Sequence, residues 1–303
     1  MKSIVRSVLV ALAAAGVLAV SASAQQTDFS QVQIKTTKIT DNFYALEGQG
    51  GRIGVLTGPD GVLMVDGQFA PLTEKIVAAI KQVSPQPIRF LVNTHVHGDH
   101  TGGNENFAKM GVIIYSRPQL RDRLAHPRPN AQGQTPRPAP EAALPKVTYN
   151  GRTAWHMNGE MVELIAIPQA HTDGDTLVYF PKTDVIMTGD FYRSVAYPNI
   201  DRNNGGSLNG MINGLGEVIG MAGPNTKILP GHGPIVDRNA VVDHRDMMLG
   251  VRDAVAKLIR EGKSEQEVVA ANPAGPFASK VQQPGETRDR FVGQVYAELK
   301  ASL

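Results

Sequence analysis

The chain has 303 residues, of which 30 are Lys or Arg, 28 are Asp or Glu and 8 are His, with no Cys and a formal charge of +2. That length is ample for a core, in one large domain or two closely packed halves, and zero Cys excludes a disulfide framework, a Cys-held zinc and a thiolate nucleophile. At 42% hydrophobic, 19% charged and 6% aromatic, without a long basic run, the chain is neither disordered nor a multi-span membrane protein, and its composition argues against nucleic-acid binding.

Lys2 and Arg6 precede an apolar run over 8–20, and Ala22-Ser23-Ala24 then supplies the small residues of a cleavage site. The run is short for a membrane-spanning helix, so residues 1–24 read as a cleaved secretory signal, with Gln25 as the first mature residue. Those 24 residues hold two basic and no acidic side chains, so the net charge belongs to the signal and residues 25–303 are formally neutral. A periplasmic or secreted protein without membrane insertion is expected.

Residues 27–40 are polar and irregular and lead into an edge strand. Strands are expected over 42–47, 52–57 and 61–66, separated by Gly48-Gln49-Gly50-Gly51 and Gly58-Pro59-Asp60-Gly61, both strong turn signals. Leu72, Ile76, Ala79, Ile80 and Val83 have the spacing of an amphipathic helix over 72–83, stopped by Ser84-Pro85-Gln86-Pro87. A buried strand at 88–93, a helix at 102–110 and a strand at 111–116 follow, and this alternation argues for an α/β fold. Residues 117–146 hold seven of the 20 Pro and cannot form a regular helix or a central strand. They are either a surface excursion flanking the active site, helical at 119–124, or a flexible connector. Strands at 161–167, 176–180, 184–188 and 227–229 and helices at 207–221, 239–260, 265–271 and 286–299 complete a second β-rich half with helices outside.

The decisive segment is Thr94-His95-Val96-His97-Gly98-Asp99-His100, directly after a buried strand. His95 and His97 are two apart and point to one side, and Asp99 and His100 follow where the chain turns into a helix. Neutral imidazoles with a carboxylate suit zinc or a similar divalent ion. His171, Asp190 and His232 each come after an apolar strand in a Gly-containing stretch, the expected place for site residues in an open α/β sheet. Together the set suffices for two metal ions. Gly48-Gln49-Gly50-Gly51 is no phosphate cradle, because a strand rather than a helix follows it, and it reads as a flexible loop on the substrate side. His126 reads as exposed, His156 beside Trp155 could line the cleft, and His244 could support a ligand, although each also has a purely structural reading.

The His-x-His-x-Asp-His motif, followed by isolated His, Asp and His residues, resembles the metallo-β-lactamase fold superfamily over roughly residues 42–244. The resemblance implies an αββα sandwich of two related halves spanning 25–303. It implies that His95, His97 and His171 hold a first zinc, that Asp99, His100 and His232 hold a second, and that Asp190 bridges them. Asp66 matches the family's buried acidic residue and would support a metal-ligating His, against the alternative of a turn-capping carboxylate. Two such ions would share a hydroxide as nucleophile and polarise a carbonyl, with Asp99 orienting the hydroxide and moving its proton.

The Asp–His–His set at the second zinc resembles the β-lactamase subclass that lacks a Cys ligand, and the export signal agrees. One departure is Asp190, which stands where β-lactamases carry Cys or Ser and matches glyoxalase II-like thioesterases and lactonases. The sequence therefore points to an exported dinuclear zinc hydrolase acting on a small cyclic amide or ester, with β-lactamase-type activity first. The alternatives are a lactonase or thioesterase and, outside enzymes, a periplasmic zinc-binding protein.

Overall fold

The structure is a computed structural model that describes residues 28–130, 133–282 and 285–302. The export signal expected over 1–24 lies outside the described residues. Two sheets carry the fold. In the first, β1 (Lys35–Lys38), β2 (Phe43–Glu47), β3 (Ile53–Leu56), β4 (Val62–Val65), β5 (Ile88–Val92), β6 (Ile113–Ser116) and β7 (Val147–Thr148) lie side by side in chain order. Pairing is antiparallel from β1 to β4 and parallel from β4 to β7. In the second, β8 (Arg152–Met157), β9 (Glu160–Ile167), β10 (Asp175–Phe180) and β11 (Val185–Arg193) pair antiparallel, and β12 (Lys227–His232) joins β11 in parallel.

Side-chain alternation sorts these strands into layers, because successive residues of a strand face opposite sides. Phe43, Ala45, Leu63 and Val65 of the first sheet meet Val162, Leu164, Val178 and Met187 of the second in one buried core between the sheets. Phe43 and Phe180 close that core edge to face, with ring centroids 4.8 Å apart, a pair worth about 1 kcal/mol beyond the area it buries. The alternate residues Val62 and Met64 turn outward onto Ile76 and Ile80 of α1 (Thr73–Lys81) and Phe107 of α3 (Asn104–Lys109). On the far side, Ile165, Ile167, Leu177 and Ile186 pack on α5 (Leu208–Met221), α6 (Arg238–Arg260), α7 (Glu265–Ala270) and α8 (Gly285–Ala301). The layer order is therefore helix, sheet, sheet, helix. No helix among the described residues is long and apolar enough to cross a membrane.

Three local differences from the sequence reading have physical reasons. The helix expected at 102–110 begins earlier, as α2 (Gly98–Thr101), breaks at Gly102-Gly103 and resumes as α3. The break follows a close backbone approach: Gly103 N–H donates to the Gln68 carbonyl at 2.9 Å, and a Cβ on Gly103 would stand 2.6 Å from the Gly67 carbonyl oxygen. Strand β8 was not expected: it is an edge strand that exposes Arg152, Ala154 and His156 and turns Thr153, Trp155 and Met157 inward, and small Ala154 and polar Thr153 blur the apolar alternation. Strands β11 and β12 run past the expected 184–188 and 227–229, which puts Asp190 within β11 and His232 at the end of β12 rather than in loops.

The Pro-rich segment is anchored as well as exposed. It opens with α4 (Pro118–Ala125), and a 3-10 turn at Glu141–Ala143 ends it. Buried Arg123 pairs with Asp173 at 2.5 Å, and Arg117 donates to the Asp173 carbonyl at 2.9 Å. Lys146 N–H donates to the Ile114 carbonyl at 2.9 Å, fixing the far end to β6.

Candidate metal centre

Strands β4 and β5 are parallel, and β9, β11 and β12 share one direction because two antiparallel steps through β10 restore it. Their C-terminal ends deliver Asp66, His95, His97, His171, Asp190 and His232 to one edge of the sandwich, and α2 adds Asp99 and His100. The seven residues expected to ligate metal converge there in two adjoining groups. His95, His97, His171 and Asp190 form one, and Asp99, His100 and His232 the other, with the donor atoms of each group within 4.8 Å of one another. Asp190 joins the two: its Oδ1 lies 3.4 Å from His100 Nε2 and its Oδ2 3.4 Å from His232 Nε2. Asp99 Oδ2 lies 3.0 Å from His232 Nε2 and 3.6 Å from His100 Nε2.

Hydrogen bonds on the outer nitrogens decide where each lone pair points. Asp66 Oδ2 accepts from His100 Nδ1 at 2.7 Å and from the Thr94 hydroxyl at 2.7 Å, while Oδ1 accepts from Thr94 N–H at 2.8 Å. Asp66 thus contacts His100, one of the residues expected from the sequence to ligate metal. Having donated its proton to Asp66, the Thr94 hydroxyl can only accept from His95 Nδ1, 3.1 Å away. His171 Nδ1 donates to the Asn199 carbonyl at 2.6 Å, and His97 Nε2 donates to Asp201 Oδ2 at 2.7 Å. In the neutral rings the inward atoms left as acceptors are Nε2 of His95, His100 and His171 and Nδ1 of His97. With no cation beside it His100 is not neutral: burial works against the charged form, but Asp66 and Asp190 outweigh it and raise the group well above the ordinary histidine range.

Those inward atoms fit a cation. His171 Nε2 and His97 Nδ1 lie 3.0 Å apart, close enough for one cation to meet both lone pairs. His95 Nε2, His100 Nε2 and Asp190 Oδ1 are buried with no hydrogen-bond partner among the described residues. A buried polar atom left unpaired costs about 1–3 kcal/mol. His95 Nε2 has no described polar partner, and His100 Nε2 and Asp190 Oδ1 have only each other at 3.4 Å, so the three mark a place suited to a ligand. Burial, then neighbouring imidazoles, hold His95 well below the ordinary histidine range, and burial with the nearby His97 lowers His171 to about 4, so both present neutral nitrogens. For His232, burial works against the charged form, but Asp190 and Asp99 outweigh it and raise the group to about 9. Burial alone would raise Asp190, yet His100 and His232 hold it well below the usual carboxylate range. Cation-hungry carboxylates beside neutral imidazoles are the donor chemistry of a divalent metal site.

Three supporting groups escaped the sequence reading. Asp201 sits in Asn199-Ile200-Asp201-Arg202, where an acidic residue reads as an ordinary turn former. Thr94 and the Asn199 carbonyl carry no sequence signal at all. Gly51 also proved more specific than a flexible loop: its N–H donates to the Asp99 carbonyl at 3.0 Å, and a Cβ there would lie 2.1 Å from His100 Cε1. The remaining histidines stay outside the cluster. His126 is exposed and pairs with Asp122. His156 is exposed on β8 opposite Met161, at the end of β9 away from His171. His244 is buried edge-on to Tyr192, with ring centroids 5.0 Å apart.

Comparison with known proteins agrees with this geometry. The family model of the metallo-beta-lactamase superfamily matches residues 47–240. The chain is 21% identical over 195 residues to the metallo-beta-lactamase type 2 of Bacillus cereus, covering 64% of this chain and 71% of that protein. Its fold is similar to a metallo-beta-lactamase from Pontibacter korlensis, with a TM-score of 0.60, 19% identity, and 72% of this chain and 99% of that one covered. It is also similar to the stereoselective inverting sec-alkylsulfatase of a Pseudomonas species, with a TM-score of 0.66, 17% identity and 87% of this chain covered against 50% of that chain. A four-layer sandwich with two donor groups at one edge, matched by the family over most of its length, identifies the chain as belonging to the metallo-beta-lactamase superfamily of hydrolases.

Proposed function

We propose that the protein is a dinuclear zinc hydrolase of small carbonyl compounds, exported by its N-terminal signal, with β-lactamase-type opening of a cyclic amide as its first activity. The observation that carries this reading is the sharing of Asp190 between two adjoining donor groups. His95, His97 and His171 would hold one ion and Asp99, His100 and His232 the other, with Asp190 common to both. Ions held there supply Lewis acidity, which makes water a nucleophile near neutral pH and polarises a carbonyl. The protein's own part is orientation and proton handling. Thr94, Asp66, Asn199 and Asp201 fix the ring tautomers before any substrate arrives. Asp99, the partly exposed carboxylate at the mouth of the cluster, receives the proton of the attacking water on Oδ2 and passes it to the leaving group.

A second reading, ester hydrolysis by a lactonase or thioesterase, is favoured by one feature: Asp190 occupies the position where β-lactamases carry Cys or Ser. The test is zinc-loaded protein assayed against a penicillin, a cephalosporin, a carbapenem, a lactone and a thioester, beside metal-stripped protein. Zinc-dependent β-lactam turnover supports the first reading, lactone or thioester turnover alone supports the second, and no turnover of any member contradicts both. Export is tested by sequencing the mature N-terminus, which is expected at Gln25.

A further inference from the structure

A cavity of about 540 Å³ opens beside the metal centre, between the Pro-rich segment and the loop that carries Asp201. Its floor is Val96, His97 and Gly98, so it shares His97 with the cluster. Leu124, Pro127 and Pro136 line it with apolar surface, and Arg123, Arg128 and Arg137 bring three guanidinium groups to it. Its size lies within the range of small-molecule sites, about 300–1,000 Å³.

The charge balance of this cavity is one-sided. Arg123 is taken up by Asp173. Arg128 gives one N–H to the Asn203 carbonyl at 3.2 Å and has others to offer, and Arg137 is exposed and bonds no described residue. The cavity's carboxylate, Asp201, is already engaged by His97 and by the Asn204 side chain, each at 2.7 Å. Across 117–146 there are six basic and two acidic side chains. Both acids are paired locally, Asp122 with His126 and Glu141 with Arg121 and Lys146. Positive charge therefore concentrates on this wall, although residues 25–303 are formally neutral.

We infer that the cavity is a subsite for a carboxylate on the substrate: Arg128 and Arg137 receive it while the scissile carbonyl lies at the metal centre. The inference rests on the hydrolase reading above. A guanidinium meets a carboxylate through two parallel N–H groups, so the pair fixes orientation as well as charge. Leu124, Pro127 and Pro136 cover the carbon chain between the two ends. Leu124 is carried by α4, and Pro127 and Pro136 beyond it each fix their own φ.

The test compares two esters that differ at one end, 4-nitrophenyl hemisuccinate with a terminal carboxylate and 4-nitrophenyl butyrate with a methyl group, after subtraction of uncatalysed hydrolysis. The kcat/KM ratio of the first to the second is expected to exceed one. In the Arg128→Gln/Arg137→Gln double variant it is expected to fall about tenfold, the change that loss of one good charge-assisted contact produces. Arg137→Gln alone lowers the ratio without breaking a hydrogen bond within the described residues. Arg121→Gln, which removes a charge from the same segment but outside the cavity, leaves the ratio unchanged. A ratio at or below one, or a ratio that the double variant does not move, overturns the subsite. If neither ester is cleaved, ester hydrolysis fails on its own account. The subsite is then decided by calorimetric titration of succinate into the metal-loaded protein. Binding that the double variant loses supports it, and no binding, or equal binding by both proteins, overturns it.

Discussion

His100 Nδ1 lies 2.7 Å from Asp66 Oδ2, and both side chains are almost fully buried. Asp66 holds this position with φ at +65°, a conformation that Asn tolerates and β-branched or bulky residues do not. In Asp66→Asn the backbone is therefore kept while the carboxylate is lost. Metal affinity is expected to fall about 10–100-fold, as for other partners of ligating histidines. Titration with a zinc-binding dye measures this, and an affinity equal to that of the unmodified protein would remove Asp66 from the support of His100.

Asp201 is the counterpart on the other group, through His97. Asp201→Asn turns an acceptor toward His97 into a group able to donate, which favours the wrong ring tautomer. Metal affinity should fall by a similar factor of about 10–100, and the loss should concern the group of His95, His97 and His171. Cobalt substitution followed by absorption spectroscopy distinguishes the two groups, and an unchanged spectrum would count against this role.

Much of this site was legible in the sequence because metal ligation demands particular residue types at strand ends. His95, His97, Asp99 and His100 fall within six consecutive residues, His171 follows β9, Asp190 lies in the C-terminal half of β11 and His232 ends β12. The layer order was expected only from the family resemblance, because Val62, Leu63, Met64 and Val65 are all apolar and their division between two different cores shows only in the structure. Asp201 and Thr94 were not legible, since their roles depend on which ring nitrogen they meet in space. Strand β8 was missed because Ala154 and Thr153 blur its apolar alternation, and the cationic cavity because Arg128 and Arg137 come to line one cavity with His97 only after folding.

Gly51 passes so close to His100 that the smallest side chain collides with the ring. Gly51→Ala must move His100 or the loop over 48–51, and overpacking of this kind costs about 1–3 kcal/mol. Urea unfolding followed by the fluorescence of Trp155, the single tryptophan, should show that loss together with weaker metal binding. Unchanged stability and metal content would mean that the loop yields freely.

His244 offers a pH test away from the metal ligands. Burial lowers it to about 4, so the folded protein keeps it neutral where the unfolded chain, near its ordinary 6.5, binds a proton. Its contribution is fully present above pH 6.5 and is lost as pH falls toward 4, by up to about 3 kcal/mol. In His244→Leu the urea midpoint of metal-loaded protein should fall less between pH 7 and about 4.5 than it does in the unmodified protein. Parallel curves for the two proteins would contradict the assignment.

The central claim, that Asp190 joins two metal positions, is tested most directly by counting metal in purified, zinc-equilibrated protein by mass spectrometry of the elements. The geometry predicts two equivalents per chain for the unmodified protein and about one for Asp190→Ser, because the shared carboxylate is the donor both groups need. A single equivalent in the unmodified protein, or two retained by Asp190→Ser, would contradict it.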